Sequence, residues 1–392
     1  MSSEVRSLSG VRIAPSSTVH RSRVREIKRL VVKVGSAVLS KGDLALHQPT
    51  LQRICRELVW LRKEGFQVVL VSSGAILAGM GQLGLTERPS SIPLKQAAAA
   101  VGQSLLMRHY EEAFAPYGQK LGQLLLTQED FRSRHRYLNA RNTLFTLLHL
   151  GVLPVINEND TVAVEEIRFG DNDHLSALVA TLLGADLLVI LTDLDGLYTA
   201  DPRKDPDAKL VHEMPRRSAT LHVWADESGT GLGTGGMITK VKAARAAAAA
   251  GVRTIIANGL VDGILERIIR GEVVGTVFQA SASRMRSRKR WLACATARGG
   301  RITVDAGARE ALIHNGKSLL ASGVVSVDGA FEGGEVVSLC GPDGVEFARG
   351  VANYDAEQVK QIKGIKSDRI EDALGAKPFD EVVHRDNLVI LE

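Results

Sequence analysis

The sequence predicts an α/β protein with a largely parallel sheet, followed by a smaller β module. Short β-branched runs alternate with longer stretches of helical apolar spacing, a pattern typical of a parallel sheet covered by helices. The predicted strands are almost continuously apolar, as expected when both faces of a sheet are buried. They span 30–35, 67–74, 152–157, 186–193 and 252–259, and the helical stretches include 49–65, 94–114 and 172–183. From about Gly300, short strands separated by glycines predict a small β-barrel-like module.

The length of 392 residues predicts two domains, and the composition is that of a soluble protein. Apolar residues make up 45% and charged residues 24%, with no apolar run of about 18 residues that could span a bilayer. The three cysteines, Cys55, Cys294 and Cys340, are widely spaced and lack metal-ligand spacing. The sequence therefore predicts neither a disulfide framework nor a zinc site, and it favours a reducing cytoplasm.

The excess of basic residues is confined to two short segments. The net charge is +5, the first 29 residues alone carry +5, and the segment RMRSRKR (284–290) adds another +5. Residues 30–283 are neutral, and residues 291–392 carry −5. Composition therefore gives little support to nucleic-acid binding, which depends on basic groups that neutralise phosphates.

Changes in composition divide the chain into five parts. Residues 1–29 are rich in Ser and Arg and poor in acid, which predicts a disordered leader or a mis-assigned start; an organellar transit peptide is the alternative. The α/β pattern occupies 30–283. The basic segment 284–299 has no apolar periodicity and predicts a linker. The β module follows at 300–378, and a helical tail is expected at 379–392.

Three glycine motifs look like nucleotide-binding fingerprints but lack the required context. GMGQLG (79–84) and GLGTGG (231–236) do not directly follow a predicted strand, as a dinucleotide site requires. NGKS (315–318) resembles the end of a P-loop, but Ala311 occupies the position of its first glycine. The sequence therefore predicts neither a dinucleotide-binding fold nor a Walker site.

The glycine-rich segment GTGLGTGGM nevertheless leads directly into a predicted Ala-rich helix. Free N–H groups at such a helix start can bind an anion. Lys240 lies about one turn into this helix, where its ammonium group could reach a bound phosphate. A surface loop followed by a helix with a solvated Lys240 is the alternative.

Lys33 interrupts the otherwise apolar strand LVVKVGS. A lysine is rarely buried unless it is paired, so this position calls for an explanation. If the strand ends at Gly35 and Ser36, the ammonium group points toward the carboxyl edge of the sheet, where open α/β sheets bind ligands. There it could neutralise a phosphoryl group. An edge strand with an exposed lysine is the alternative.

The densest polar signal lies at 156–177, around two predicted turns. Its side chains are Asn157, Glu158, Asn159, Asp160, Asp171, Asn172 and Asp173. Such groups could bind an ammonium group, orient lysines or hold Mg²⁺. Capping of strands and of the helix near His174 is the alternative, but the density of the cluster favours a site.

Two further predicted strands end in polar turns. VSSGA (71–75) offers hydroxyl groups and a glycine that could receive a substrate carboxylate. LTDLDGLYTADPR (191–203) supplies a turn and a loop that could line a nucleotide base, although its sequence is also typical of ordinary β-turns.

Seven motifs, in this order, resemble those of the amino acid kinase family. They are VVKVGS, VSSGAI, AVGQ, PVINENDTVA, GDNDHLSALVA, LTDLDGLYTADPR and GLGTGGMITK. INEND, GDND and GTGGM in one chain resemble the members that act on free glutamate. The resemblance runs from about Leu30 to the C-terminus, and the β module resembles the PUA domain of many bacterial members. One departure is VGSAVL, where a Thr-Ser pair is common after the glycine.

This resemblance implies a three-layer αβα sandwich and a specific reaction. The γ-phosphoryl group of ATP, the co-substrate, would pass to the γ-carboxylate of L-glutamate in the first step toward proline. Mg²⁺ would bridge the nucleotide phosphates with few or no protein ligands. The resemblance also implies a homo-oligomer, either a dimer or a tetramer, and proline as a feedback inhibitor.

The resemblance further assigns roles to individual residues. Lys33 and Lys240 would stabilise charge on the transferring phosphoryl group, and Asp173 would orient them. Ser73, Asp160 and Asn172 match substrate-binding positions. The positions that match ATP contacts are Lys33, Thr192, Asp193, Thr234, Gly235, Gly236, Met237, Ile238, Thr239 and Lys240.

Two alternatives remain open on the sequence. Within the same class, the chain could be a related kinase acting on N-acetylglutamate, aspartate, carbamate or UMP. In a different class, the PUA-like module could bind RNA. The charge of −5 on residues 291–392 argues against RNA binding, although the neighbouring segment 284–290 could supply a basic patch.

Overall fold

A computed structural model describes residues 27–41, 44–132, 134–162, 172–214, 236–280 and 300–391. The described residues divide into two compact units. The first lies within residues up to 128 and 139–283, and the second within 129–138 and 284–392. The predicted linker at 284–299 and the first 26 residues of the predicted leader lie outside the described residues.

The first unit is built on an eight-stranded sheet. Its strands are β1 (Arg29–Val34), β2 (Gln67–Ser72), β3 (Leu121–Leu126), β4 (Leu153–Glu158), β5 (Leu187–Thr192), β8 (Glu213–Met214), β9 (Arg253–Asn258) and β10 (Thr276–Phe278). Their order is β3-β4-β2-β1-β5-β9-β10-β8, and every pairing is parallel except that of β9 with β10. A small antiparallel hairpin joins β6 (Leu197–Tyr198) to β7 (Leu210–Val211).

Helices cover both faces of this sheet. Their bounds are α1 (Ser36–Ser40), α2 (Gln48–Lys63), α3 (Ala75–Gln82), α4 (Ile92–Phe114), α6 (Arg134–His149, of which 139–149 lie in this unit), α7 (Asn172–Leu183), α8 (Met237–Ala249) and α9 (Ile264–Ile269). Residues 129–132 of α5 (Gln128–Arg132) belong to the second unit. Alternate residues of a strand point to opposite faces. Val32 and Val34 therefore pack in one core cluster with α1, α2, α4 and α9. Helices α7 and α8 pack on the opposite face, toward which Lys33 points.

The predicted parallel sheet with helices on both faces is confirmed, and each predicted strand agrees with an observed one to within two residues at either end. Strand β3 was not predicted, because LGQLLL has no β-branched residue and no clear alternation. It forms because its backbone pairs with β4 from Leu121 to Leu126. Strand formation here depends on tertiary pairing rather than on local propensity.

The second unit contains a separate five-stranded sheet. Its elements are β11 (Arg301–Val304), α10 (Ala306–Ile313), β12 (Val324–Asp328), β13 (Val336–Cys340), β14 (Glu346–Val351), α11 (Ala356–Ile362), α12 (Ile370–Leu374) and β15 (Leu388–Ile390). The strand order is β12-β11-β13-β14-β15. Only the β11–β13 pairing is parallel.

Residues 379–392, predicted as a helical tail, contribute instead to this sheet and its core. Strand β15 pairs antiparallel with β14. Val382, Val383 and Leu388 are fully buried in the core of the unit. The prediction of a helix was wrong here, because these apolar side chains gain more from burial against the sheet than from a separate helix.

Within the described residues, no helix combines the length and the apolar character needed to cross a membrane.

Candidate active site

A buried carboxylate lies between two lysines at the carboxyl edge of the large sheet. Lys33 Nζ is 2.5 Å from Asp173 Oδ1, and Lys240 Nζ is 3.1 Å from Asp173 Oδ2. Asp173 is fully buried, and the two lysines are 2% and 8% exposed. Buried charges of this kind are stable only when they are paired. The formal charges of these three groups add up to +1, which suits a site for an anionic ligand.

The fold brings these three residues together from distant parts of the chain. Lys33 lies near the end of β1, one residue before Val34, and Asp173 lies in the first turn of α7. The positive end of the helix dipole stabilises a carboxylate at that position. Lys240 lies in the first turns of α8, which packs against α7. The lysine therefore approaches the same carboxylate from the next helix.

The start of α8 adds a hydroxyl group to this cluster. Thr239 Oγ1 lies 2.8 Å from Asp173 Oδ2 and 2.8 Å from the Gly236 carbonyl oxygen. Gly236 is the N-cap residue and has no side chain to bond the first N–H groups of the helix. Met237 and Ile238 form the first turn. A helix start of this kind, next to two ammonium groups, is suited to hold a phosphate.

An amide and hydroxyl network lies directly beside the charged cluster. Asn172, the residue before Asp173, donates from Nδ2 to Ser73 Oγ at 3.0 Å and to Asn157 Oδ1 at 2.9 Å. Asn157 in turn donates from Nδ2 to Gln103 Oε1 at 2.7 Å. Ser73 and Asn172, two predicted substrate-binding residues, are thus hydrogen-bonded to each other, and Asn172 is the chain neighbour of Asp173.

Gln103 is a member of this network that the residue predictions missed. It lies on α4, far in sequence from the INEND and GDND motifs. Its motif AVGQ was part of the family resemblance, and that motif is the signal that could have identified it. Its hydrogen bond orients Asn157, and Asn157 in turn orients the amide of Asn172.

Asp160 lies in the turn after β4 and is partly buried. Burial raises the pKa of its carboxyl group to about 6. A carboxylate at this position, beyond the carboxyl end of a parallel strand, is placed where α/β proteins bind small ligands. The shift also makes its charge sensitive to pH just below neutrality.

Thr192 and Asp193 form the turn at the end of β5. Thr192 is 4% exposed, and its hydroxyl group donates to Asp193 Oδ1 at 3.1 Å. The other oxygen, Asp193 Oδ2, accepts from Arg203 Nη2 at 2.9 Å. Because β5 neighbours β1 in register, this turn lies beside the strand end that carries Lys33.

Two of the predicted ATP-contacting residues, Thr234 and Gly235, lie outside the described residues, as does Asp171 of the polar cluster. Among the described residues, no group of three or more His, Cys, Asp or Glu side chains is arranged to hold a metal ion. Asp173, the central carboxylate of the cluster, already accepts contacts from two ammonium groups.

The sequence matches the models of two protein families. Residues 28–258 match the model of the amino acid kinase family, and residues 300–374 match the PUA domain. The chain therefore belongs to the amino acid kinase family and carries a C-terminal PUA domain. The predicted fold class, an αβα kinase fold followed by a PUA-like module, is confirmed.

Three curated relatives within this family, all of them glutamate 5-kinases, are similar to the chain over nearly its whole length. The enzyme of Pelobacter propionicus is 53% identical over 373 residues, which cover 95% of this chain and 100% of the relative. That of Geobacter sp. is 49% identical over 373 residues, with 95% and 100% covered. That of Moorella thermoacetica is 51% identical over 371 residues, with 95% and 98% covered.

Proposed function

We propose that this protein transfers the γ-phosphoryl group of ATP to the γ-carboxylate of L-glutamate, giving L-glutamyl 5-phosphate in the first step of proline biosynthesis. The observation that carries the proposal is the buried Lys33–Asp173–Lys240 cluster beside the Ser73–Asn172 network. Near full-length similarity to glutamate 5-kinases supports the choice of acceptor.

The reaction needs charge neutralisation and positioning more than proton transfer. An oxygen of the glutamate γ-carboxylate attacks the γ-phosphorus, and the bond from that phosphorus to the β,γ-bridging oxygen breaks, so that ADP leaves with the electron pair. The attacking carboxylate is already ionised at neutral pH, so no general base is required. Lys33 and Lys240 would stabilise the charge on the transferring group, with Asp173 holding both in place.

The remaining site residues would have the roles that the family resemblance implies. Ser73, Asn172 and Asp160 would bind glutamate, with the Asp160 carboxylate facing the α-ammonium group. Thr192, Asp193 and residues 234–240 would bind ATP. Mg²⁺ would be held by the ATP phosphates. It would need few or no protein ligands.

Four further features complete the proposal. The protein would act in the cytoplasm and as a homo-oligomer, with proline as its feedback inhibitor. The kinase domain would comprise residues 30–283 and the PUA-like domain residues 300–378.

Lys240→Ala is expected to lower the rate of ATP-dependent hydroxamate formation from L-glutamate and hydroxylamine by about a hundredfold or more, because one of two cations at the transferring group is removed. Lys242→Ala is the matched control, since Lys242 lies on the same helix and is exposed. N-acetylglutamate and aspartate are assayed in parallel. Turnover of another acceptor, with none of glutamate, would overturn the substrate while leaving the kinase class intact.

The KM for glutamate is expected to rise as the pH falls below about 6, by up to about tenfold per pH unit, since protonation of Asp160 removes the charge that binds the ammonium group. Initial rates between pH 5 and 8 at saturating ATP measure this. Asp160→Asn is expected to have a high KM that no longer changes over this range. A wild-type KM that stays flat down to pH 5 would contradict the role.

A further inference from the structure

A buried ion pair on α2 reaches across the edge of the sheet to the loop that follows β9. Arg53 Nη1 lies 2.7 Å from Glu57 Oε1, and the two side chains are only 14% and 7% exposed. They are one helical turn apart on α2, in the layer opposite α7 and α8. Neither residue belongs to the motifs that define the proposed active site.

Both members of the pair bond the backbone of residues 259–265. Arg53 donates from Nη1 to the Val261 carbonyl at 2.8 Å and from Nη2 to the Gly259 carbonyl. Glu57 accepts from the Gly263 N–H at 3.1 Å and the Leu265 N–H at 2.9 Å. One buried ion pair thus satisfies two carbonyl groups and one N–H group of the 259–263 loop, together with the Leu265 N–H in the first turn of α9. Burial raises the pKa of Glu57, and the Leu265 N–H and the Arg53 charge oppose that shift.

The same loop is bonded on its other side to the proposed nucleotide turn. The Gly259 N–H donates to the Thr192 carbonyl at 2.8 Å, and Asn258 Nδ2 donates to Asp195 Oδ1 at 2.9 Å. The backbone at Gly259 packs closely against the end of β5, since a Cβ on Gly259 would lie only 2.9 Å from Leu191 Cβ. A shift of the loop would therefore be transmitted to the turn that begins at Thr192.

We propose that Arg53 and Glu57 are positioning residues for ATP: they fix the 259–263 loop, and through it the Thr192–Asp195 turn, in the geometry that binds the nucleotide. The proposal rests on the proposed function only in placing ATP at that turn. It assigns the pair no contact with substrate and no role in binding glutamate.

Arg56 provides a matched control. It lies on the same helix and reaches the same loop, where its Nη2 is 3.0 Å from Asp262 Oδ1. This pair is solvent-exposed, at 59% and 73%, and bonds no backbone group of the loop in the described contacts. Exposed ion pairs contribute little to local order. Arg56→Met should therefore leave nucleotide binding unchanged.

The test combines initial-rate kinetics with equilibrium titration of ATP on the full-length chain. Arg53→Met is expected to raise both the KM and the Kd for ATP by about tenfold, while the KM for glutamate and kcat change less than about twofold, because only the support of the nucleotide turn is lost. Arg53→Lys, which keeps a cation and a donor, should recover part of the affinity. If Arg53→Met does not fold, Glu57→Gln provides the same comparison with a smaller change.

Two outcomes would overturn the inference. An unchanged Kd for ATP in Arg53→Met and Glu57→Gln would show that the loop does not position the nucleotide turn. If Arg53→Met raised the KM for ATP and the KM for glutamate equally, the pair would have a general structural role. The same conclusion would follow if Arg56→Met raised the Kd for ATP as much as Arg53→Met does. The ATP titration does not depend on the acceptor. A wild type that binds ATP but does not phosphorylate glutamate would therefore refute the proposed function and leave this inference testable.

Discussion

Replacing Asp173 with asparagine is expected to lower kcat by about a hundred- to a thousandfold and to destabilise the kinase unit by about 3–5 kcal/mol. The asparagine side chain has nearly the same shape but no charge. Lys33 and Lys240, which share the Asp173 carboxylate, would then be two buried like charges that have lost the negative charge between them. Their mutual repulsion would displace them from the positions that the proposed phosphoryl transfer requires.

ATP should partly reverse this loss of stability, because its phosphates supply the negative charge that the variant lacks. Thermal unfolding with and without ATP measures the effect, and the increase in Tm on adding ATP should be larger for Asp173→Asn than for the wild type. Asp262→Asn is the control, since Asp262 is 73% exposed and its only described ion pair is with Arg56 at the surface. A variant with wild-type kcat and wild-type Tm would refute the role of Asp173.

Gly79→Ala is expected to destabilise the protein by about 3 kcal/mol or more, or to prevent folding. A Cβ on Gly79 would lie 1.8 Å from the Ala98 carbonyl oxygen, a distance that no side-chain adjustment can relieve because the neighbour is backbone. Gly102 on α4 makes the reciprocal approach, at 1.8 Å from the Ala75 carbonyl oxygen. Helices α3 and α4 are therefore in contact along their backbones, and an added methyl group must separate them.

Moving α3 and α4 apart should also displace residues of the proposed substrate site, because α3 begins directly after Ser73 and Gly74, and α4 carries Gln103. Gly81→Ala is the matched control on the same helix. A Cβ at Gly81 would meet no atom within 4 Å, so this substitution should be neutral or stabilise by up to about 1 kcal/mol. Chemical denaturation of both variants measures the difference. Equal stability of Gly79→Ala and Gly81→Ala would contradict the close packing.

Much of the large sheet and of the charged cluster could be predicted from the sequence. The apolar runs around Leu30, Val68, Val155 and Val189 are strands because residues buried on both faces of a sheet must be apolar along their whole length. A lysine inside such a run is conspicuous for the same reason, and this singled out Lys33. The motifs around Asp173 and Lys240 were likewise visible, because polar residues and glycines concentrate where strands end and helices begin.

Long-range contacts decided the rest. Local residue patterns do not reveal that Lys33 and Lys240 share the Asp173 carboxylate, which was expected only from the family resemblance. Lys240 lies 67 residues from Asp173 and meets it only after α7 and α8 pack together. Strand β3 and the C-terminal strand β15 likewise depend on partners that are distant in the chain.

The packing role of Gly79 and the hydrogen bonds of Arg53 to the 259–263 loop also depend on contacts between distant parts of the chain. The local sequence pattern predicts which side chains of a strand or helix are buried. Which buried groups become neighbours is fixed only by the packing of elements that are far apart in the sequence.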